Sequence, residues 1–162
     1  MLEAKDVLAV LSNDPNAPDD LKRRSLLVAA TLLEFSPDVK EGEGYFLAKG
    51  ILESGKAFEK FQRICEAQGG LKDLPKPIYS DVIKAHKSGT IRAIQNRTLA
   101  RLAKLAGAPH DKTAGIELHC ALGTYVYKDE PLFTLYSESK GELSYARNAF
   151  RDMPDIFEIL EE

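Results

Sequence analysis

Apolar residues recur at helical spacing through the first part of the chain and at alternating spacing through the second, with the change near Leu71–Pro77. Leu2–Leu11 reads as a short amphipathic helix. The cluster SNDPNAP (Ser12–Pro18) stops it, because prolines and turn formers cannot continue the helical ladder. A second helix starts at Asp19 or Asp20, whose carboxylates can accept hydrogen bonds from free N-terminal amides and suit the positive end of the helix dipole. Its second half, LLVAATLL (Leu26–Leu33), is apolar on nearly every side. Such a run predicts cover all round, more than the neighbouring helices provide. A third helix is expected over Tyr45–Leu52, and Ser54 with Gly55 breaks the chain. The helix that follows places Ala57, Phe61, Ile64, Cys65 and Gln68 on one face, with Phe58 and Phe61 expected in the core, and ends at Gly69–Gly70.

Beyond Pro75 and Pro77, short β-branched runs at Pro77–Ala85 and Gly89–Ile94 predict strands separated by a KSG turn. Asn96 is expected to cap a helix with an apolar stripe of Leu99, Leu102, Ala103 and Ala106, closed by Gly107. Arg97, Arg101 and Lys104 share another face; three cations at that spacing could bind phosphate, and the simpler reading is a solvated face whose cations are favourable toward the C-terminal end. Strands follow at Gly115–His119, Thr124–Tyr127 and Pro131–Ser137, then a helix near Glu142–Phe150 and a closing strand at Asp155–Glu161. The fold class is α+β, with a helical segment over 1–74 followed by an α+β C-terminal domain over 75–162.

Composition narrows the partners. The net charge is −3 over 162 residues with both signs interspersed, which gives no electrostatic case for nucleic acid. Cys65 and Cys120 lie far apart in apolar settings, as reduced thiols do. There is no signal-peptide pattern, and no apolar run approaches the roughly 18 residues of a membrane span. The expectation is a soluble cytoplasmic protein with no membrane partner. Nucleophile-elbow, phosphate-loop, H-E-x-x-H and C-x-x-C motifs are absent. His86, His110 and His119 lack the spacing of a metal site. Lys87 beside His86, and the trio His110, Asp111 and Lys112, are the clusters that could handle protons or anions. The simpler reading of both is solvated loop.

Several stretches in one order carry a family resemblance: SGKAFEKF (Ser54–Phe61), EAQGG (Glu66–Gly70), SGTIRAIQN (Ser88–Asn96), LAGAPHDKTAGIELH (Leu105–His119) and PLFTLYSES (Pro131–Ser139). Together they resemble the C-terminal region of the thymidine and pyrimidine nucleoside phosphorylases. The GAP-x-D-K-x-A-G form of the loop looks most like the AMP phosphorylase branch found in archaea.

The resemblance implies a hammerhead-like, barrel-sandwich C-terminal domain and a phosphorolytic reaction in a longer parent enzyme, of whose α/β domain residues 1–74 would be part. Inorganic phosphate would be the co-substrate, with no other cofactor and no metal. The catalytic residues of that family lie N-terminal to this segment, so none is assigned here. The implied partners are the remaining N-terminal domains of the parent and further copies in a homo-oligomer. Gly107, His110, Asp111, Lys112 and Gly115 form the candidate domain-closure loop. The run G-x-x-V-x-x-D-x-P-L (Gly123–Leu132) also resembles biotinyl and lipoyl carrier domains, so a stand-alone, non-catalytic binding module is the alternative class; the chain lacks the E-A-M-K-M lysine motif of those carriers. Asp129 stands where glycine is frequent, and aspartate tolerates the positive φ of a tight turn.

Overall fold

In a computed structural model, residues 1–153 and 156–161 are described. The chain divides into two units, Glu3–Leu74 and Pro75–Glu162, with Met1–Leu2 joining the second. The helical periodicity of the first unit is realised as α1 (Leu2–Leu11), α2 (Asp19–Leu33), α3 (Gly44–Glu53) and α4 (Lys56–Ala67). Pro18, in extended conformation, occupies the N-cap of α2, and no side chain caps that end. Asp19 and Asp20 fall inside the first turn, too far along to reach the free amides, and act through the helix dipole alone. The core of this unit is small, built on Val10, Leu26, Ala48 and Leu52. α4 buries no residue, and Phe58 and Phe61 are half-buried, so the expectation of core phenylalanines there is corrected. Leu27, Val28 and Leu32 on α2 are 56%, 57% and 61% exposed, so the all-round apolar run is left uncovered on one side.

The second unit is α+β. Its elements are β1 (Tyr79–Lys84), β2 (Gly89–Ile94), α5 (Asn96–Leu105), β3 (Gly115–Leu118), β4 (Tyr125–Val126), β5 (Pro131–Ser137), α6 (Lys140–Arg151) and β6 (Phe157–Leu160). Asp155, at the start of the expected closing strand, lies outside the described residues. Two three-stranded antiparallel sheets form, ordered β1-β5-β3 and β4-β2-β6. Consecutive strands therefore part company: the KSG segment joins strands of different sheets rather than closing a hairpin. The β3–β4 connection likewise crosses from one sheet to the other.

β5 is the middle strand of its sheet, and Leu132, Phe133, Thr134, Leu135 and Ser137 are all buried, so both of its faces are covered. α6 packs against β1 and β5, α5 against α6 and β3. Arg147 on α6 fixes that helix to β1 through Asp81, Nε to Oδ2 at 3.0 Å. Phe133 stands at the centre, stacked on Phe157 and edge-on to Phe150, with ring centroids 5.7 Å and 5.4 Å away. Gln95, not Asn96, is the N-cap residue of α5. The reason is in the sheet: Gln95 N–H donates to Ile156 O while its own carbonyl already accepts from Thr98 and Leu99, so the helix begins one residue earlier. Asp129 takes φ +69°, the turn conformation expected of it.

Candidate functional site

The loop between α5 and β3 carries Gly107, His110, Asp111 and Lys112, and Gly115 opens the strand that follows it. α5 closes on Gly107, which has φ +114°. Gly107 N–H donates to Lys104 O and Ala108 N–H to Ala103 O, each at 3.1 Å, the paired bonds of a glycine-terminated helix. The chain then runs through a cis Ala108–Pro109 bond to Asp111, whose N–H returns to Gly107 O at 3.0 Å. A Cβ at position 107 would lie 2.5 Å from Asp111 Oδ2 and 3.1 Å from Glu142 Oε2. The dihedral calls for glycine, and a methyl there would also push the Asp111 carboxyl aside.

The far end of the loop is tied down by residues that motif reading missed. Thr113 is 3% exposed, and both its N–H and its Oγ1–H donate to Glu138 Oε1, at 3.0 and 3.1 Å. Gly115, buried, opens β3 opposite Tyr136. Glu138 and Glu142 flank the start of α6, where Ser139 is the N-cap and its Oγ accepts from Glu142 N–H. The spacing Ser139-x-x-Glu142 is that of a capping box, the sequence signal that could have found this site. Ser139 N–H, however, donates to the buried Ser137 Oγ. The Glu142 side chain is left free to meet Asp111. Its carboxyl is held above the ordinary value of 4.5 by loss of water, then by a hydrogen bond and the charge of Asp111, and by the charge of Glu138.

Of the candidate residues, the fold brings Gly107 and Asp111 together and sets Gly115 at the base of the sheet. His110 and Lys112 are exposed, and the Met1 amine donates to Lys112 O at 2.9 Å. His86 is exposed elsewhere, Lys87 pairs with Glu161 at 3.6 Å, and His119 Nε2 lies 2.6 Å from Thr134 Oγ1. The histidines do not converge, and no group of His, Cys, Asp and Glu among the described residues is placed to hold a metal ion. Cys120 is a half-buried thiol whose pKa is raised, first by burial and then by the charge of Glu130, which keeps it protonated. Chemically, the base of the loop is lined with carboxylates and repels anions, whereas its tip presents one lysine and one histidine to solvent.

Residues 90–156 match the pyrimidine nucleoside phosphorylase C-terminal domain. That match takes in β2 from Thr90 onward, the loop, the carboxylates of Asp111, Glu138 and Glu142, and α6. A Legionella pneumophila (strain Corby) protein named "Putative thymidine phosphorylase" is 54% identical over 155 residues, covering 96% of this chain and 30% of its own. An Acidovorax protein (strain JS42) named "Putative thymidine phosphorylase 1" is 48% identical over 161 residues, 99% of this chain and 32% of its own. A Tolumonas auensis protein is 48% identical over 158 residues, 98% and 31% respectively. The chain thus spans about 30% of the length of the curated relatives it matches. No helix among the described residues is long and apolar enough to cross a membrane.

Proposed function

We propose that this chain is the C-terminal portion of a nucleoside or nucleotide phosphorylase, a pentosyltransferase in which inorganic phosphate displaces a base from C1′ of the sugar to give a free base and a (deoxy)ribose 1-phosphate. The observation that carries the reading is the domain match over 90–156, together with relatives 48–54% identical across nearly the whole chain. Such a reaction builds positive charge on the sugar and negative charge on the leaving base, and needs a nucleophilic phosphate held beneath C1′. Nothing at the 107–115 loop supplies that grip, since its base is acidic and its two outward groups are solvated. The chain's share is accordingly scaffolding, assembly into a homo-oligomer, and closure of a cleft toward which Lys112 and His110 would project. We take the second unit to adopt the flattened, hammerhead-like barrel of that family.

Within this reading the substrate is a nucleoside monophosphate, AMP, on the strength of the GAPHDKTAG loop (Gly107–Gly115). Thymidine is the second reading, favoured by the names of the relatives. The experiment is a phosphorolysis assay of the chain joined to its upstream polypeptide, with AMP, CMP, UMP, thymidine and uridine, following free base. Base release that requires inorganic phosphate is expected, with AMP preferred and with none from the 162-residue chain alone. Release from none of these substrates would overturn the proposal, and release from thymidine alone would overturn the AMP reading.

A further inference from the structure

The first unit holds an apolar groove of about 460 Å³ walled by α1, α2 and α3, with Ala57 at the start of α4. Val7, Leu21, Leu32 and Ile51 are among its walls, and Ser25 is the one polar residue that lines it. The same surface continues outward over α2: Leu32, on the rim, is 61% exposed, Val28 one turn earlier 57%, and Phe35 just beyond 78%. A helix left to water would carry polar residues here, and a contiguous apolar patch of this kind marks an interaction surface.

We infer that this groove is the docking site for an amphipathic helix of the remaining parent polypeptide. The inference rests on the phosphorylase reading above, which makes the chain part of a longer one, and it names the surface through which the parts join. Length favours this occupant, because relatives matched over nearly all of this chain extend more than three times as far. The chemistry of the walls agrees. A site for a free metabolite presents convergent polar groups that fix orientation, and this groove offers a single serine hydroxyl. Helical walls with ridges one turn apart accept the apolar stripe of another helix, whose backbone bonds are satisfied internally and ask nothing of the walls.

The test is titration of the 162-residue chain with the separately expressed upstream polypeptide, followed by sedimentation and calorimetry. A one-to-one complex is expected, weakened on the order of 100-fold by Leu32→Glu, which places a charge in a desolvated contact. Leu122→Glu, at a residue 64% exposed in the other unit, should leave affinity unchanged. Leu32 is largely exposed in the free chain, so circular dichroism should show the variant folded. Hydrogen exchange on the wild-type pair gives the same answer without a variant, through new protection of α1 and α2 on mixing. Absence of association, equal affinity for Leu32→Glu, protection confined to other helices, or self-association of the chain abolished by Leu32→Glu would each overturn the inference. Base release is read separately. A complex that docks through α2 without phosphorolysis overturns the enzymatic reading and leaves the docking site standing, while an active complex indifferent to Leu32→Glu does the reverse.

Discussion

Gly107→Ala isolates what the loop demands of its first residue. Two separate costs arise. A residue with a Cβ at φ +114° pays backbone strain of about 1–3 kcal/mol. The added methyl also meets Asp111 Oδ2 at 2.5 Å and Asp111 Cγ at 3.0 Å, the far end of a half-exposed side chain that has to turn away, which costs about 0.5–1 kcal/mol more. The sum is about 1.5–4 kcal/mol, most of it backbone strain, against the roughly 4–13 kcal/mol expected for a unit of this size. Gly123→Ala supplies the control: φ is +81° with nothing within 4 Å of the added methyl, so it carries strain alone. Adding Asp111→Ala to Gly107→Ala removes the group in the way and should restore about 0.5–1 kcal/mol, a coupling a double-mutant cycle measures directly. Urea titration suits the purpose. The chain has no tryptophan, and Tyr79, Tyr125, Tyr127, Tyr136 and Tyr145 lie in the second unit against Tyr45 in the first, so near-ultraviolet dichroism reports mainly on the unit that carries the loop. A cycle that closes to within about 0.3 kcal/mol would show that Asp111 does not press on Gly107, and the account of the loop would fail.

Two further outcomes follow from the geometry. Phe133→Ala removes a fully buried ring that touches both Phe150 and Phe157, and should cost about 3–5 kcal/mol in the same titration; a loss under about 1.5 kcal/mol would mean the three rings do not form the centre of the core. Glu142 has a folded-state pKa above the ordinary 4.5, so its contribution to stability is complete below that value and is lost as pH rises through the folded value. Glu142→Gln, fixed in the neutral form while Asp111 and Glu138 still face it, should flatten that part of a melting-temperature profile taken from just below pH 4.5 upward, and parallel profiles for the two proteins would refute the assignment.

Helix positions were legible because apolar spacing, prolines and glycines speak locally: α1, α3 and β2 lie where periodicity puts them, and Gly107 closes α5 as its place after Ala106 implies. Features that depend on distant partners were not. Gln95 takes the N-cap from Asn96 because Ile156, some sixty residues on, holds its amide. β5 buries nearly every residue because it is the central strand of its sheet with α6 packed against it, a placement that local spacing does not report. Phe58 and Phe61 carried the composition of a core into a helix whose apolar face has little to bury against. At the loop, the conspicuous residues His110, Asp111 and Lys112 were visible as chemistry, while Thr113 and Glu138, which hold it, look unremarkable without the fold that sets them 3.0 Å apart.

That anchoring bears on how closure of a cleft could work. A lid that folds over a ligand needs hinges with few commitments at both ends. Here one end is the glycine-closed terminus of α5, backed by Asp111 and Glu142, and the other is Thr113, bound through amide and hydroxyl to Glu138 at the head of α6. Between them only a short tip remains, and its side chains, His110 and Lys112, already face solvent. Such a loop cannot travel far without surrendering a buried amide's acceptor, at a cost of about 1–3 kcal/mol. A loop held at both ends in this way does not fold over a ligand by itself. Lys112→Ala, at an exposed side chain, should then leave the urea-unfolding free energy of the unit unchanged to within about 0.5 kcal/mol.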